Sequence, residues 1–198
     1  MSRKGAPNIR MQTAIVDLFI RAQELDQWTN KYDPVMACQP LGLPRQGTPR
    51  RIIQTDKDII FFYGQYADYG GGNSEYRDIP TDARQRNAQT ELLPTYYGYT
   101  IGHWEGDTLV LDSTSFVDST WLGRGGLFHS GNMHIVEKLT RKGNEILYEM
   151  TIEDPDSFVE PWVMPARTLR VGGGDGLQPE RAYCEVYEEG NFSSQLRH

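Results

Sequence analysis

Two stretches of this chain each read as a strand, a glycine-centred turn and a second strand, and they confine the fold to antiparallel β. The first runs Tyr96–Trp104, Glu105-Gly106-Asp107, Thr108–Phe116; the second runs His134–Arg141, Lys142-Gly143-Asn144, Glu145–Ile152. A short glycine-bearing turn between two segments rich in β-branched and aromatic residues is a hairpin signal. Further strand-like segments surround them: Arg51–Gln54 and Ile59–Gln65 flanking Thr55–Asp58, then Tyr76–Ile79, Trp162–Val171 and Arg181–Glu188. A meander of about nine short strands has to close on itself or pack as two sheets to protect its edges. The expected fold is mainly β, an antiparallel up-and-down β-barrel of lipocalin-like type, with a cupin-like jelly roll as the alternative. A barrel of about eight strands has room for one small ligand.

Ahead of the strands, apolar residues at Met11, Ala14, Ile15, Leu18, Phe19, Ala22, Leu25 and Trp28 follow helical spacing. An amphipathic N-terminal helix is therefore expected over 11–29, packed on the domain or forming a homodimer contact. Residues 1–10 are polar and expected to be flexible. Residues 33–49 are dense in Pro and Gly and read as an irregular connector. The chain is 198 residues long, which suits a single β-barrel domain over 11–198.

Composition removes several functions. The net charge is −7 and there is no long basic run, so nucleic-acid binding, which needs clustered Lys and Arg, is not expected. No run reaches transmembrane length, and no membrane partner is expected. The first residues lack a signal peptide's apolar core, so the default location is cytoplasmic. The two cysteines, Cys38 and Cys184, are too few for a disulfide framework or a structural zinc site and are expected to be reduced thiols.

The loop Ser113–His134 has no hydrophobic period, yet it carries Asp118, Trp121, Arg124, His129, Ser130 and His134. A segment this long without periodicity is usually functional or disordered, and its aromatics favour function. His129 and His134 are candidate general bases because imidazole titrates near neutrality. Tyr97 and Tyr99 are candidate phenolic acids. Arg77, Trp121, Lys138, Tyr63 and Trp104 are candidate substrate-binding groups, and Arg77 with Asp82 is a candidate ion pair. No metal is expected, and the alternative is a divalent ion held by His129, His134 and Glu137, although the spacing H-x4-H is no zinc pattern. The loop Tyr66–Glu75, with three consecutive glycines, reads as a flap. No G-x-S-x-G motif or other nucleophile signature occurs.

Several patterns recur together: G-H-W-E-G-D-T-L-V at Gly102–Val110, H-S-x3-H-x2-E at His129–Glu137, C-Q-P-L-G-L-P-R at Cys38–Arg45, Y-R-D at Tyr76–Asp78 and I-E-D-P at Ile152–Pro155. Over about Cys38–Arg170 the chain resembles a widespread family of uncharacterised bacterial proteins. The resemblance implies a lipocalin-like β-barrel and places Arg77, Trp121, His129, Ser130, His134 and Glu137 at motif positions. Many members are longer and exported, with an added N-terminal P-D-L-S-G-x-W segment; its lack here suggests a cytoplasmic specialist.

The function expected from these residues is a cofactor-independent acid–base enzyme acting on a small, aromatic organic molecule. Lyase, dehydratase or isomerase chemistry, including retro-aldol cleavage, needs only a positioned base, an acid and exclusion of water. The alternatives are a metal-dependent enzyme using His129 and His134, and a non-enzymatic binder of small apolar ligands.

Overall fold

The computed structural model of the chain describes residues 33–63, 75–84, 93–123 and 127–172. The strands are β1 (Arg51–Gln54), β2 (Asp58–Phe62), β3 (Tyr76–Pro80), β4 (Tyr99–Glu105), β5 (Thr108–Thr114), β6 (Trp121–Gly123), β7 (Leu127–Phe128), β8 (His134–Lys142), β9 (Glu145–Glu153), β10 (Trp162–Val163) and β11 (Arg167–Arg170). Both strong turn signals close hairpins. Gly106 and Gly143 sit at φ +60 and +61, a conformation that costs glycine nothing because it has no Cβ. The β1–β2 turn is held by the Thr55 hydroxyl oxygen, which accepts from the Lys57 and Asp58 amides. Pro165, which lacks an amide hydrogen, falls in the break between β10 and β11, so the expected strand Trp162–Val171 is two short ones.

The two hairpins join through β5 and β8 into a six-stranded antiparallel sheet of order β10-β9-β8-β5-β4, with β11 also on β9. Strands β1-β2-β3 form a separate sheet, and β6-β7 a small hairpin. This overturns the barrel expectation. Strand β3 lies against β4 without pairing to it, so the sheets are not closed among the described residues. Two local features keep them apart. Pro80 ends β3 without a donor, and Gly98, at φ +68, turns the chain so that β4 begins only at Tyr99. Neighbours in the large sheet are joined in simple antiparallel order, so the jelly-roll alternative is not formed either. No α-helix occurs among the described residues, and none of their helices is long and apolar enough to cross a membrane. The expected helix over 11–29, the flexible residues 1–10, most of the flap and the strand Arg181–Glu188 lie outside the described residues.

Register defines the two faces of the large sheet. Thr100, Ser113, Ile135, Ile152 and Trp162 form one cross-strand row. Gly102, Leu111, Glu137 and Met150 form the next row, and Trp104, Leu109, Leu139 and Tyr148 the third. Most of these residues are buried, and this inner face carries the core together with Ile59, Phe61, Tyr63 and Ile79 of the small sheet. Gly102 is required where the sheets meet, because a Cβ there would lie 2.9 Å from Thr81 Cγ2 and 3.1 Å from Leu111 Cδ2. Burying these side chains is the main favourable term holding the two sheets together.

A connector crosses one end of this core. Leu43 is buried in it, and the Leu43 amide donates to the Tyr96 carbonyl. Arg45 and Asp33 fix the connector through two bonds of 2.8 and 2.6 Å, a bidentate fork. Cys38 is disulfide-bonded, which corrects the expectation of a reduced thiol. Cys184 lies outside the described residues.

Candidate functional site

Alternation along β3 turns Arg77 and Ile79 inward and Tyr76 and Asp78 outward. Arg77 thereby enters the core beneath its register partner Phe61, whose ring centroid is 5.8 Å from the guanidinium carbon. The same alternation on β8 places Glu137 inward, between Leu111 and Met150, with zero exposure. The two charges meet at 2.7 Å between Arg77 Nη1 and Glu137 Oε2. A charge this deeply buried is tolerated only when paired. The expected partner of Arg77, Asp82, lies beyond Pro80 on the surface and pairs with Arg84.

Hydroxyl groups complete the network. Arg77 Nη1 donates to the Tyr63 hydroxyl at 2.9 Å, and Nη2 donates to Thr100 Oγ1 at 2.7 Å and Ser113 Oγ at 3.1 Å. Tyr148 donates to Glu137 Oε1 at 2.8 Å. Tyr63 stacks on Tyr97 with centroids 5.6 Å apart, and Tyr97 donates to Gln46 Oε1 at 3.1 Å. Burial raises all three phenols, with the Glu137 charge adding to the effect at Tyr63 and Tyr148; Tyr63 reaches about 12. They are therefore protonated donors near neutral pH. Burial, the largest single effect, would lower Arg77, but the Glu137 charge together with the Tyr63 and Glu137 interactions outweighs it and keeps the guanidinium charged.

Contacts continue from this network to His129. A Cβ on Gly42, in the connector, would sit 3.1 Å from Thr120 Cγ2, so the connector packs directly on Thr120. Thr120 Oγ1 is 2.7 Å from His129 Nε2, and His129 Nδ1 is 3.0 Å from the Ser130 carbonyl oxygen. A carbonyl only accepts, so Nδ1 carries the proton and Nε2 receives the Thr120 hydroxyl. Asp154, itself buried, fixes this segment by accepting from the Ser130 amide at 2.6 Å, the Ser130 hydroxyl at 2.8 Å and the Ser157 amide at 3.1 Å. Burial lowers His129 below the imidazole value of 6.5, against the raising effects of the Ser130 carbonyl and the Asp154 and Asp118 carboxylates.

That shift has a measurable sign. Between the folded value and 6.5 the unfolded chain binds a proton at His129 that the native chain does not. The contribution to stability is complete above 6.5, is lost as pH falls below it, and levels off beneath the folded value. Thermal unfolding between pH 8 and pH 5 should therefore show a smaller decline in His129→Gln than in the unchanged protein.

The candidates divide by position. Arg77, Tyr63, Tyr97 and His129 belong to this connected cluster, and Trp121 is buried next to Thr120, edge-on to Phe128 at 5.6 Å. Tyr99 does not share a face with Tyr97, because Gly98 intervenes at φ +68 and Tyr99 pairs with Thr114 on the outer side. His134 and Lys138 are also on the outer face. His134 lies 3.2 Å from Asp112 and 3.3 Å from Glu153, through different ring nitrogens. Trp104 is half exposed at the far end of β4. His134 and Glu137, on opposite faces, do not converge with His129 on one ion, and the described residues contain no metal-ready group of three His, Cys, Asp or Glu. Thr120, Tyr148, Thr100, Ser113 and Asp154 were missed as site residues. Alternation pairs Tyr148 with Met150, which was legible; the Thr120–His129 contact crosses an irregular loop and was not. Set against protein-family models, curated proteins and solved structures, the chain finds no match in any of the three.

Proposed function

We propose that the chain is an acid–base enzyme of the lyase or isomerase class acting on a small aromatic organic molecule, at the end of the inner face where His129 and the tyrosines lie. The observation that carries this reading is the buried imidazole of His129, with its proton on Nδ1 and its Nε2 lone pair directed at a hydroxyl. An uncharged imidazole and protonated phenols linked through the connector supply a base and acids at the same pH. The stacked Tyr63–Tyr97 pair and the Trp121–Phe128 pair offer flat apolar contact for a ring.

Retro-aldol cleavage is one concrete form. Nε2, through the Thr120 hydroxyl, takes the proton of a substrate hydroxyl, and that O–H electron pair becomes the carbonyl bond of a released aldehyde. The breaking C–C pair passes to a carbon conjugated with a ring or carbonyl, and the imidazolium returns the proton to that carbon. No oxidant or reductant is consumed. Arg77 and the phenols would stabilise the transient oxyanion. The test is a panel of hydroxyphenyl compounds with β-hydroxylated side chains, assayed with the full chain for released aldehyde and for isomerised product. Turnover lost in His129→Gln supports the reading; no product from any member overturns it.

A further inference from the structure

Three carboxylates are buried among the described residues: Asp33, Glu137 and Asp154. Arg45 pairs with Asp33 and Arg77 with Glu137. The groups that bond Asp154 are instead neutral. Oδ2 accepts from the Ser130 amide at 2.6 Å, and Oδ1 accepts from the Ser130 hydroxyl at 2.8 Å and from the Ser157 and Asp156 amides at 3.1 and 3.2 Å. Such donors take the place of water around a buried charge. The retro-aldol steps make no use of this residue.

Its grip on Ser130 reaches His129. The Ser130 hydroxyl oxygen also accepts from the Asn132 amide at 3.0 Å, and the Ser130 carbonyl accepts from the Met133 amide at 3.3 Å and from His129 Nδ1 at 3.0 Å. Met133 is buried and anchors this turn in the core. Holding the amide and the hydroxyl of Ser130 fixes the rotation of the residue, and with it the direction of its carbonyl. That direction matters because Thr120 does not choose between the two forms of the ring: its hydroxyl, 2.7 Å from Nε2, can donate or accept. The carbonyl only accepts, so it places the proton on Nδ1. With the carbonyl turned away, Nε2 would carry the proton and donate to Thr120, and the base would be lost.

We infer that Asp154 is the positioning residue of His129: by holding the Ser130 amide and hydroxyl it aims the Ser130 carbonyl at Nδ1 and keeps the Nε2 lone pair open to a proton. Asp154 acts through Ser130 and touches no reacting atom. The inference deepens the enzyme reading, and rests on it only for the use to which that lone pair is put. Against burial, the largest effect, the Asp154 charge also raises the imidazole, as the Ser130 carbonyl and Asp118 do, so the base is stronger than burial alone would leave it.

The test is long-range proton–nitrogen NMR correlation on the isotope-labelled full chain at pH 8, with the His129 ring signals assigned by their loss in His129→Gln. In the unchanged protein the Nδ1–H form outweighs the other by about fivefold or more. Asp154→Asn keeps the shape of the side chain but turns one acceptor into a donor, which sets an N–H against one of the donors now bonded there; the ratio of the two forms falls to about one. Asp156→Asn, an exposed change in the same turn, leaves the ratio as it was, because that carboxylate accepts from Asn132 Nδ2 at 2.6 Å and not from Ser130. A folded Asp154→Asn that keeps the Nδ1–H form overturns the inference. So does a dominant Nε2–H form in the unchanged protein, a result that needs no variant to fold. An equal change in Asp156→Asn overturns it too, since any disturbance of the turn would then suffice. These readings need no substrate: the expected pattern in a protein that turns over no compound upholds the role of Asp154 and ends the enzyme reading, whereas undiminished turnover in Asp154→Asn ends this inference alone.

Discussion

Glu137→Gln is expected to destabilise the fold by about 3–5 kcal/mol, because it leaves the Arg77 guanidinium buried without a counter-charge. Arg77 is 5% exposed and Glu137 fully buried, so water cannot take the place of the carboxylate. For a domain of this length the loss corresponds to a fall of about 10 °C in melting temperature. The pair itself is not a strong net source of stability, since taking both charges out of water costs about as much as their attraction returns. Arg77→Met with Glu137→Leu should therefore be less destabilised than the sum of the two single variants, a coupling measurable in a double-mutant cycle by urea unfolding. Additive losses would mean that the two charges do not depend on one another.

His129→Gln is expected to lower turnover by about 10²–10⁴-fold, the usual contribution of a positioned general base. Glutamine retains a hydrogen-bonding side chain beside Thr120 but no group that accepts a proton at neutral pH. In the unchanged protein, activity should fall with pH only below 6.5, because burial holds the imidazole below that value. Asn substitution at His134 should leave turnover within about threefold, as His134 is on the outer face between Asp112 and Glu153. The reverse ranking of the two histidines would move the chemistry to the opposite side of the sheet.

The sequence exposed the hairpins because both of their signals are local: Gly106 and Gly143 each sit between segments of period two. Closure of the sheet was not legible, since whether β3 pairs with β4 depends on Pro80 and Gly98 and on packing between distant segments. The alternation rule placed Tyr97 with Tyr99, and one glycine at positive φ separated them. Strands β6 and β7 are too short to show a period, so Trp121–Gly123 and Leu127–Phe128 read as irregular loop. Arg77 was recognised as chemically informative, but its partner comes from the other sheet, and sequence proximity suggested Asp82 instead. The two histidines looked equivalent at five residues' separation; burial behind Thr120 and Asp154 distinguishes His129, and neither contact is local to it.

The claim underlying this account is that a guest sits against the inner face, next to the Arg77–Glu137 pair and His129. A crystal structure of the full chain with the panel compound that turns over or binds most tightly tests it most directly. The account predicts the guest's reacting hydroxyl beside Thr120, within reach of the His129 imidazole. A guest bound on the outer face, against His134 and Lys138, with side chains alone filling the space between the sheets, would contradict it.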